Sequence, residues 1–140
     1  MGWKKQKQQP IPTKEPPKPK DITDLPSGTV IVTPEGKRFY ISGQKKFRII
    51  SDRVFYSWDF PREVFVTQAC ANRYKTFGRL GFREGAVVRD FTSSTLYLIS
   101  ENKKRRLTTP DALTNLNIDE SKIITMSEEE AGLHEGGEPL

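Results

Sequence analysis

Apolar residues in this chain come in short alternating runs, interrupted every few positions by Gly, Pro or charged pairs. That rhythm predicts strands rather than long helices. Gly28–Val32 reads as a short β-branched strand, and Thr33-Pro34-Glu35-Gly36 has turn chemistry, because Pro presets φ and Gly supplies φ > 0. Lys37–Ser42 is a second strand, with Phe39 and Ile41 on one face and Tyr40 on the other. Gly43-Gln44 suits a tight hairpin, and Lys45–Ile50 returns as a third strand. Ser51 or Asp52 is placed to cap a helix running to about Ser57, which would bury Val54, Phe55 and Trp58. Asp59-Phe60-Pro61 breaks that helix, and Glu63–Thr67 gives a closing strand.

The pattern then repeats. Shifted by 57 residues, Gly28-Thr29-Val30-Ile31 falls on Gly85-Ala86-Val87-Val88, and Phe39-Tyr40-Ile41 on Leu96-Tyr97-Leu98. Taking Ile99 as one inserted residue, Lys45-Lys46 meets Lys103-Lys104, Arg48-Ile49 meets Arg106-Leu107, and Phe65-Val66-Thr67 meets Ile123-Ile124-Thr125. Apolar positions recur as apolar, the signature of a structural period. In the second copy Ala86–Arg89, Thr95–Ile99 and Lys103–Leu107 are strands, Thr109-Pro110-Asp111 starts a helix, and Lys122–Thr125 closes the unit. Between the copies, Gln68–Thr76 reads as a short helix. A unit of about 55 residues is marginal alone. The two should therefore share a core of Val30, Phe39, Ile41, Ile49, Phe55, Trp58, Phe65, Val87, Leu96, Leu98, Leu107, Leu113, Leu116 and Ile123. The expected class is mainly β with short helices (α+β): two tandem β-meander units, 25–81 and 82–140, after an extended Pro/Lys-rich arm, 1–24.

Charge divides the chain further. Residues 1–20 hold six Lys against one acid, while residues 126–140 hold five Glu and no base. Five of the ten prolines lie in the arm, which favours an extended, polyproline-like chain. Such an arm can order along a partner, with Trp3 as apolar anchor and Lys4, Lys5, Lys7, Lys14, Lys18 and Lys20 on acidic surface. Arm and tail are complementary across copies. No apolar run approaches the roughly 20 residues that span a bilayer, and the N-terminus is too polar for a secretory signal.

The elements Gly85-Ala86-Val87-Val88, Leu96-Tyr97-Leu98-Ile99 and Asn102-Lys103-Lys104-Arg105-Arg106-Leu107, with a looser first copy, resemble a short tandem β-rich repeat of bacterial surface-associated and tailed-phage virion proteins. The resemblance covers roughly residues 25–140 and carries over no catalytic residue. It implies a non-enzymatic structural or assembly protein, docked on a multimeric lattice of virion or surface proteins through its arm and sheet edges. Its location would be the virion, or host cytoplasm before assembly, with the cell surface as the alternative.

Reaction chemistry is sparse. The single His134 sits in a Gly/Glu-rich tail, Cys70 reads as a small buried thiol, and Glu128-Glu129-Glu130 as a solvated helix start. One Cys and one His leave no cysteine-based zinc site, and no Gly-rich phosphate loop is present. We expect no enzyme, metal, cofactor or small-molecule substrate. The competing reading is nucleic-acid binding by two basic hairpins, Lys45, Lys46, Arg48 and Lys103, Lys104, Arg105, Arg106, with Tyr40 and Phe47 for base stacking.

Overall fold

The computed structural model describes residues 18–60, 63–109 and 111–140, with the Leu113 side chain excepted. Trp3, Lys4, Lys5, Lys7 and Lys14 of the arm lie outside the described residues, as does Pro110 at the expected helix start.

Unit 1 runs through β1 (Val30–Val32), β2 (Arg38–Ser42), β3 (Lys45–Ile49), α1 (Asp52–Ser57), β4 (Glu63–Phe65), α2 (Gln68–Asn72) and β5 (Lys75–Arg79). Unit 2 runs through β6 (Val87–Asp90), β7 (Leu96–Ser100), β8 (Lys103–Arg106), α3 (Ala112–Asn115), a 3-10 turn (Glu120–Lys122), β9 (Ile124–Met126), α4 (Glu128–Ala131) and β10 (Glu135–Gly136). Each unit is a five-stranded sheet of the same order, β4-β1-β2-β3-β5 and β9-β6-β7-β8-β10. The class is the mainly β, two-unit fold that the hydrophobic pattern implied.

Three features differ from expectation. β4 does not close a meander in chain order; it crosses back by way of α1 and lies parallel to β1, with Ile31 opposite Val64. The expected helix over 68–76 stops at Asn72, and the chain turns into β5, where the Lys75 N–H finds the Gln44 carbonyl at 3.0 Å. Asp111, rather than Thr109, occupies the N-cap of α3, and it makes no side-chain cap bond. Ser51 caps α1 as the sequence suggested, accepting from the Val54 N–H at 3.2 Å.

The repeat register also shifts. Ile31 pairs with Phe39, and Val88 with Tyr97, so Phe39 corresponds to Tyr97 and Ile41 to Ile99. The inserted residue is not Ile99. It lies in the β6–β7 turn, where the Asp90 N–H reaches Thr95 O, against the shorter Thr33 N–H to Lys37 O in unit 1. Turns absorb an extra residue; inside a strand it would turn every later side chain to the other face. Two more residues enter before β9, so Val66 corresponds to Met126, not Ile124; these two residues are 0% and 1% exposed. Consequently Leu96 and Leu98, placed in the core by the earlier register, are half-buried, and Ile99 is the buried residue. Trp58, Phe65, Leu107 and Ile123 are likewise half-buried, and Leu116 is 42% exposed.

Two apolar clusters result. One lies within unit 1, where Ile31, Phe39 and Ile41 pack on Val66, Cys70, Ala71 and Tyr74. The other joins the units, combining Val30, Ile49, Val54 and Phe55 with Phe82, Val88, Ile99 and Met126. Trp58 stacks on Tyr40 (6.1 Å) and Phe60 (5.7 Å) beside it. The Trp58 indole N–H donates to Gly81 O at 2.9 Å. Gly28 and Gly85 occupy equivalent turns with φ of +95° and +87°, a region that side chains beyond Cα disfavour.

Trp58→Ala should cost about 3 kcal/mol, the low end for a large aromatic because the ring is half-buried. Gly85→Val should cost at least about 1–2 kcal/mol from the left-handed backbone alone. Urea denaturation checks both. An unchanged midpoint for Trp58→Ala would mean the ring does not tie the units together.

Candidate docking edges

The same hydrogen bonds are made twice, often by different side chains. The Leu25 N–H donates to Tyr74 Oη at 3.2 Å, and in unit 2 the Phe82 N–H donates to His134 Nε2 at 2.9 Å. Gly43 N–H reaches Ser27 Oγ, and Glu101 N–H reaches Glu84 Oε1. Lys46 Nζ donates to Ala71 O at 2.7 Å, and Lys104 Nζ to Ala131 O at 2.9 Å. These ammoniums also lie over equivalent rings, Lys46 over Phe39 and Lys104 over Tyr97. The two lysines thus hold the last carbonyls of α2 and α4, where cations are favoured.

This placement redistributes the basic hairpin set. Lys46 is buried at 6% exposure, and burial pushes its ammonium below the ordinary lysine range. Arg48 is half-buried near the Phe39 ring, and its Nε has no hydrogen-bond partner among the described residues. Lys45 is exposed, with Nζ 4.0 Å from the Phe77 ring centre. In unit 2, Lys103 and Arg106 are exposed, while Arg105 Nε donates to Glu138 O at 2.8 Å. Lys18 and Lys20 of the arm are exposed, and the Lys20 backbone bridges to Phe65 and Thr67 along β4. Tyr40 packs against Trp58 and Phe60, while Phe47 meets Phe77 edge-on at 6.0 Å.

The acidic tail folds along β8 of its own chain: Glu135 sits opposite Lys103, Gly137 N–H donates to Lys104 O, and Leu140 N–H to Arg106 O.

Two residues expected in solvent are buried. Glu130 occupies the place of Cys70 and is 1% exposed. Ser127 and Glu130 form a reciprocal capping box on α4, Ser51 donates its hydroxyl to the carboxylate, and Arg53 Nη1 lies 3.3 Å away. Burial alone would raise the Glu130 pKa. The Ser51 hydroxyl, Ser127 N–H and Arg53 outweigh it and hold the group below its ordinary value. His134 is buried, accepting from Phe82 at Nε2, so Nδ1 carries the proton toward Asn102 O at 2.9 Å. Burial lowers its pKa, the Lys104 charge adds to this, and the Asn102 carbonyl opposes it. Glycine is required at Gly81, where a Cβ would come within 2.6 Å of His134 Nε2. No signal in one sequence read as a tail marked these two groups; only the corrected register, which equates them with buried Cys70 and Tyr74, identifies them.

The surface left over is uneven. Residues 25–81 carry ten bases against four acids, and 82–140 carry seven against eleven, so the units are +6 and −4. Every residue of β5 is exposed, Phe77 at 54%, and Lys45, Lys75 and Arg79 make no ion pair among the described residues. β10 holds the same place in unit 2 but presents Glu135, with Glu138 beyond it. An open groove of about 760 Å³ also lies between α1 and unit 2, lined by Tyr56, Val87, Ile118 and Ile124 among others. Among the described residues no group of three or more His, Cys, Asp or Glu is placed to hold a metal, and no helix is long and apolar enough to cross a membrane. Comparison with protein-family models, curated proteins and solved structures gives no match.

Two substitutions separate inward from outward lysines. Lys46→Glu should destabilise by more than about 3 kcal/mol, by burying a carboxylate against Ala71 O, while neighbouring Lys45→Glu should stay within about 0.5 kcal/mol. Similar losses for both in thermal melts would refute the inward placement of Lys46. Stability should also fall with acid. His134 is held neutral in the fold, so its contribution is complete above the unfolded value of 6.5 and is lost as pH drops from there toward its lowered folded pKa. Glu130 adds a second loss as pH falls below its ordinary 4.5 toward its lowered folded value. His134→Tyr, the residue of unit 1 at this position, should flatten the first decline in urea titrations run from pH 7.5 downward.

Proposed function

We propose that the protein is a non-enzymatic assembly component, docking on a multimeric structure through its N-terminal arm and its sheet edges. The observation that carries this reading is how the reactive side chains are used. Lys46, Lys104, Cys70, Glu130 and His134 each bond within the fold, at positions duplicated between the units. What faces outward includes the β5 and β10 sheet edges, of opposite charge, and the exposed aromatics Tyr56, Phe77 and Phe91. Unpaired edges and exposed aromatics are the raw material of protein docking. The resemblance of the repeat to virion and surface-structure modules points to a lattice of that kind as the partner.

Nucleic-acid binding is the second reading, favoured by one specific feature. Lys45, Lys75 and Arg79 flank the exposed Phe77, a combination that stacks a base and meets phosphates. The Lys103–Arg106 strand supports it less, because the acidic tail lies along it.

A source-derived particle preparation tests the first reading. The full chain should co-sediment with a large particle, and the chain lacking residues 1–17, which keeps the Lys20 bonds to Phe65 and Thr67, should lose at least about tenfold of that association while melting unchanged. Equal recovery of both forms in the particle fraction would remove the arm from docking. Recovery of neither, together with salt-sensitive binding to single-stranded oligonucleotides, would transfer the function to the second reading.

A further inference from the structure

The β5 and β10 edges occupy the same place in a duplicated fold, yet they differ in charge and shape. β5 offers Lys75, Thr76, Phe77, Gly78 and Arg79, all exposed, with Lys45 leaning over the Phe77 ring. The opposite number is Glu135-Gly136-Gly137-Glu138, with both carboxylates exposed and open space where a Gly136 side chain would stand. One edge reads base–aromatic–base and the other acid–glycine–glycine–acid. At about 3.3 Å per residue, the Lys75-to-Arg79 and Glu135-to-Glu138 spans are about 13 and 10 Å.

We propose that the basic β5 edge of one copy takes the acidic β10 edge of a second copy, in a head-to-tail contact that repeats from copy to copy. The proposal rests on the assembly reading and names its partner. Charge selects the pairing. Two β5 edges repel, as do two β10 edges, so only the unlike combination is favourable. Phe77 supplies the apolar anchor, and the side-chain-free Gly136 leaves a place for its ring between the two carboxylates. Within the chain the acidic tail lies parallel to a basic strand, β8, held there by main-chain pairing and by Arg105 on the Glu138 carbonyl, which leaves both carboxylates outward. A kink at Gly78 (φ +133°) and Pro139 just beyond Glu138 limit main-chain pairing, so side chains carry the contact. Isolated chains should therefore associate weakly and respond to salt. Because the two patches differ, the contact is heterologous and builds rings or filaments rather than closed two-fold dimers.

Sedimentation velocity on the full chain tests this directly. At about 50 mM salt the weight-average mass should rise with concentration, and the apparent association constant should fall about fivefold or more by about 300 mM. Lys75→Glu/Arg79→Glu and Glu135→Lys/Glu138→Lys change exposed residues only, so circular dichroism should be unaltered, and each variant alone should remain monomeric. Mixing the two restores unlike edges and should restore association, an outcome that damage to either fold does not produce. Phe77→Ser should weaken the wild-type contact with its salt dependence kept. A chain that stays monomeric at about 1 mM and low salt, or a mixture that fails to associate, overturns the proposal. If such a monomeric chain still co-sediments with the particle, the assembly reading stands while the copy-to-copy contact falls. Loss of oligonucleotide binding in Lys75→Glu/Arg79→Glu, with no self-association in the wild type, would instead give this edge to nucleic acid and overturn the proposal.

Discussion

The structure depends on three consecutive residues at the joint between its halves. Gly81 accepts from the Trp58 indole, Phe82 donates to His134, and Arg83 donates to Ser57 Oγ. Phe82 sits at 2% exposure inside the cluster that joins the two sheets. A linker that is hydrogen-bonded at every residue has little freedom left, so the entropy of placing one half against the other is spent once, in forming this turn. Each half would otherwise present an uncovered apolar face. Val30, Ile49, Val54 and Phe55 would lose Val88, Ile99 and Met126, their complement across the joint.

Duplication explains why these particular polar groups are buried. Both units place a group after the second helix to receive the N–H that precedes the first strand, and both place a cation on a carbonyl in that helix's last turn. Unit 1 answers with Tyr74 and Lys46, unit 2 with His134 and Lys104. Histidine takes the place of tyrosine as the acceptor at this position. Glutamate takes the place of cysteine at the helix N-terminus, and there unit 1 supplies the compensation through Ser51 and Arg53. The ends of the molecule differ for a related reason. In unit 1 the segment around Lys20 lies along β4, and the Ile22 carbonyl receives Cys70 and Arg73. At the matching α4 position of unit 2, Ser51 and Arg53 of the α1 region approach instead.

Local signals carried most of the architecture. Alternation in Lys37–Ser42, the Gly43 turn and the Ser51 cap each rest on neighbours within a few residues, and each appears where the pattern put it. Long-range choices were less visible. Nothing in Glu63–Phe65 says that it inserts beside β1 rather than closing a meander, and Lys75–Arg79 carries too few apolar residues to announce an edge strand. Leu96, Leu98 and Ile99 are all apolar, so hydrophobicity does not choose between two registers one residue apart. Pairing chose, through Val88 opposite Tyr97. At the candidate site, lysines in the hairpins were visible as charges, but the fate of each depended on which helix terminus lay beneath it. Lys45 and Lys46 are adjacent and look alike in sequence. Strand geometry sends one to the surface and the other to Ala71 O.

Charge follows from the same division of labour. In unit 2 the basic strand β8 is covered by an acidic extension, whereas in unit 1 the strand at that place, β5, is itself basic. The difference is not demanded by stability, because both edge strands are exposed and exposed ion pairs contribute little. If stability were the only constraint, pairing β3 with an acidic strand would have relieved the repulsion among Lys45, Lys75 and Arg79. A chain that instead keeps +6 on one unit and −4 on the other maintains a permanent polarity. Such a polarity acts over a Debye length of roughly 8–10 Å, so under the proposed docking it would orient a charged partner before contact and bias which edge that partner meets. The duplicated fold makes two equivalent edges, and opposite charge makes them distinguishable, which is the minimum that directional docking requires.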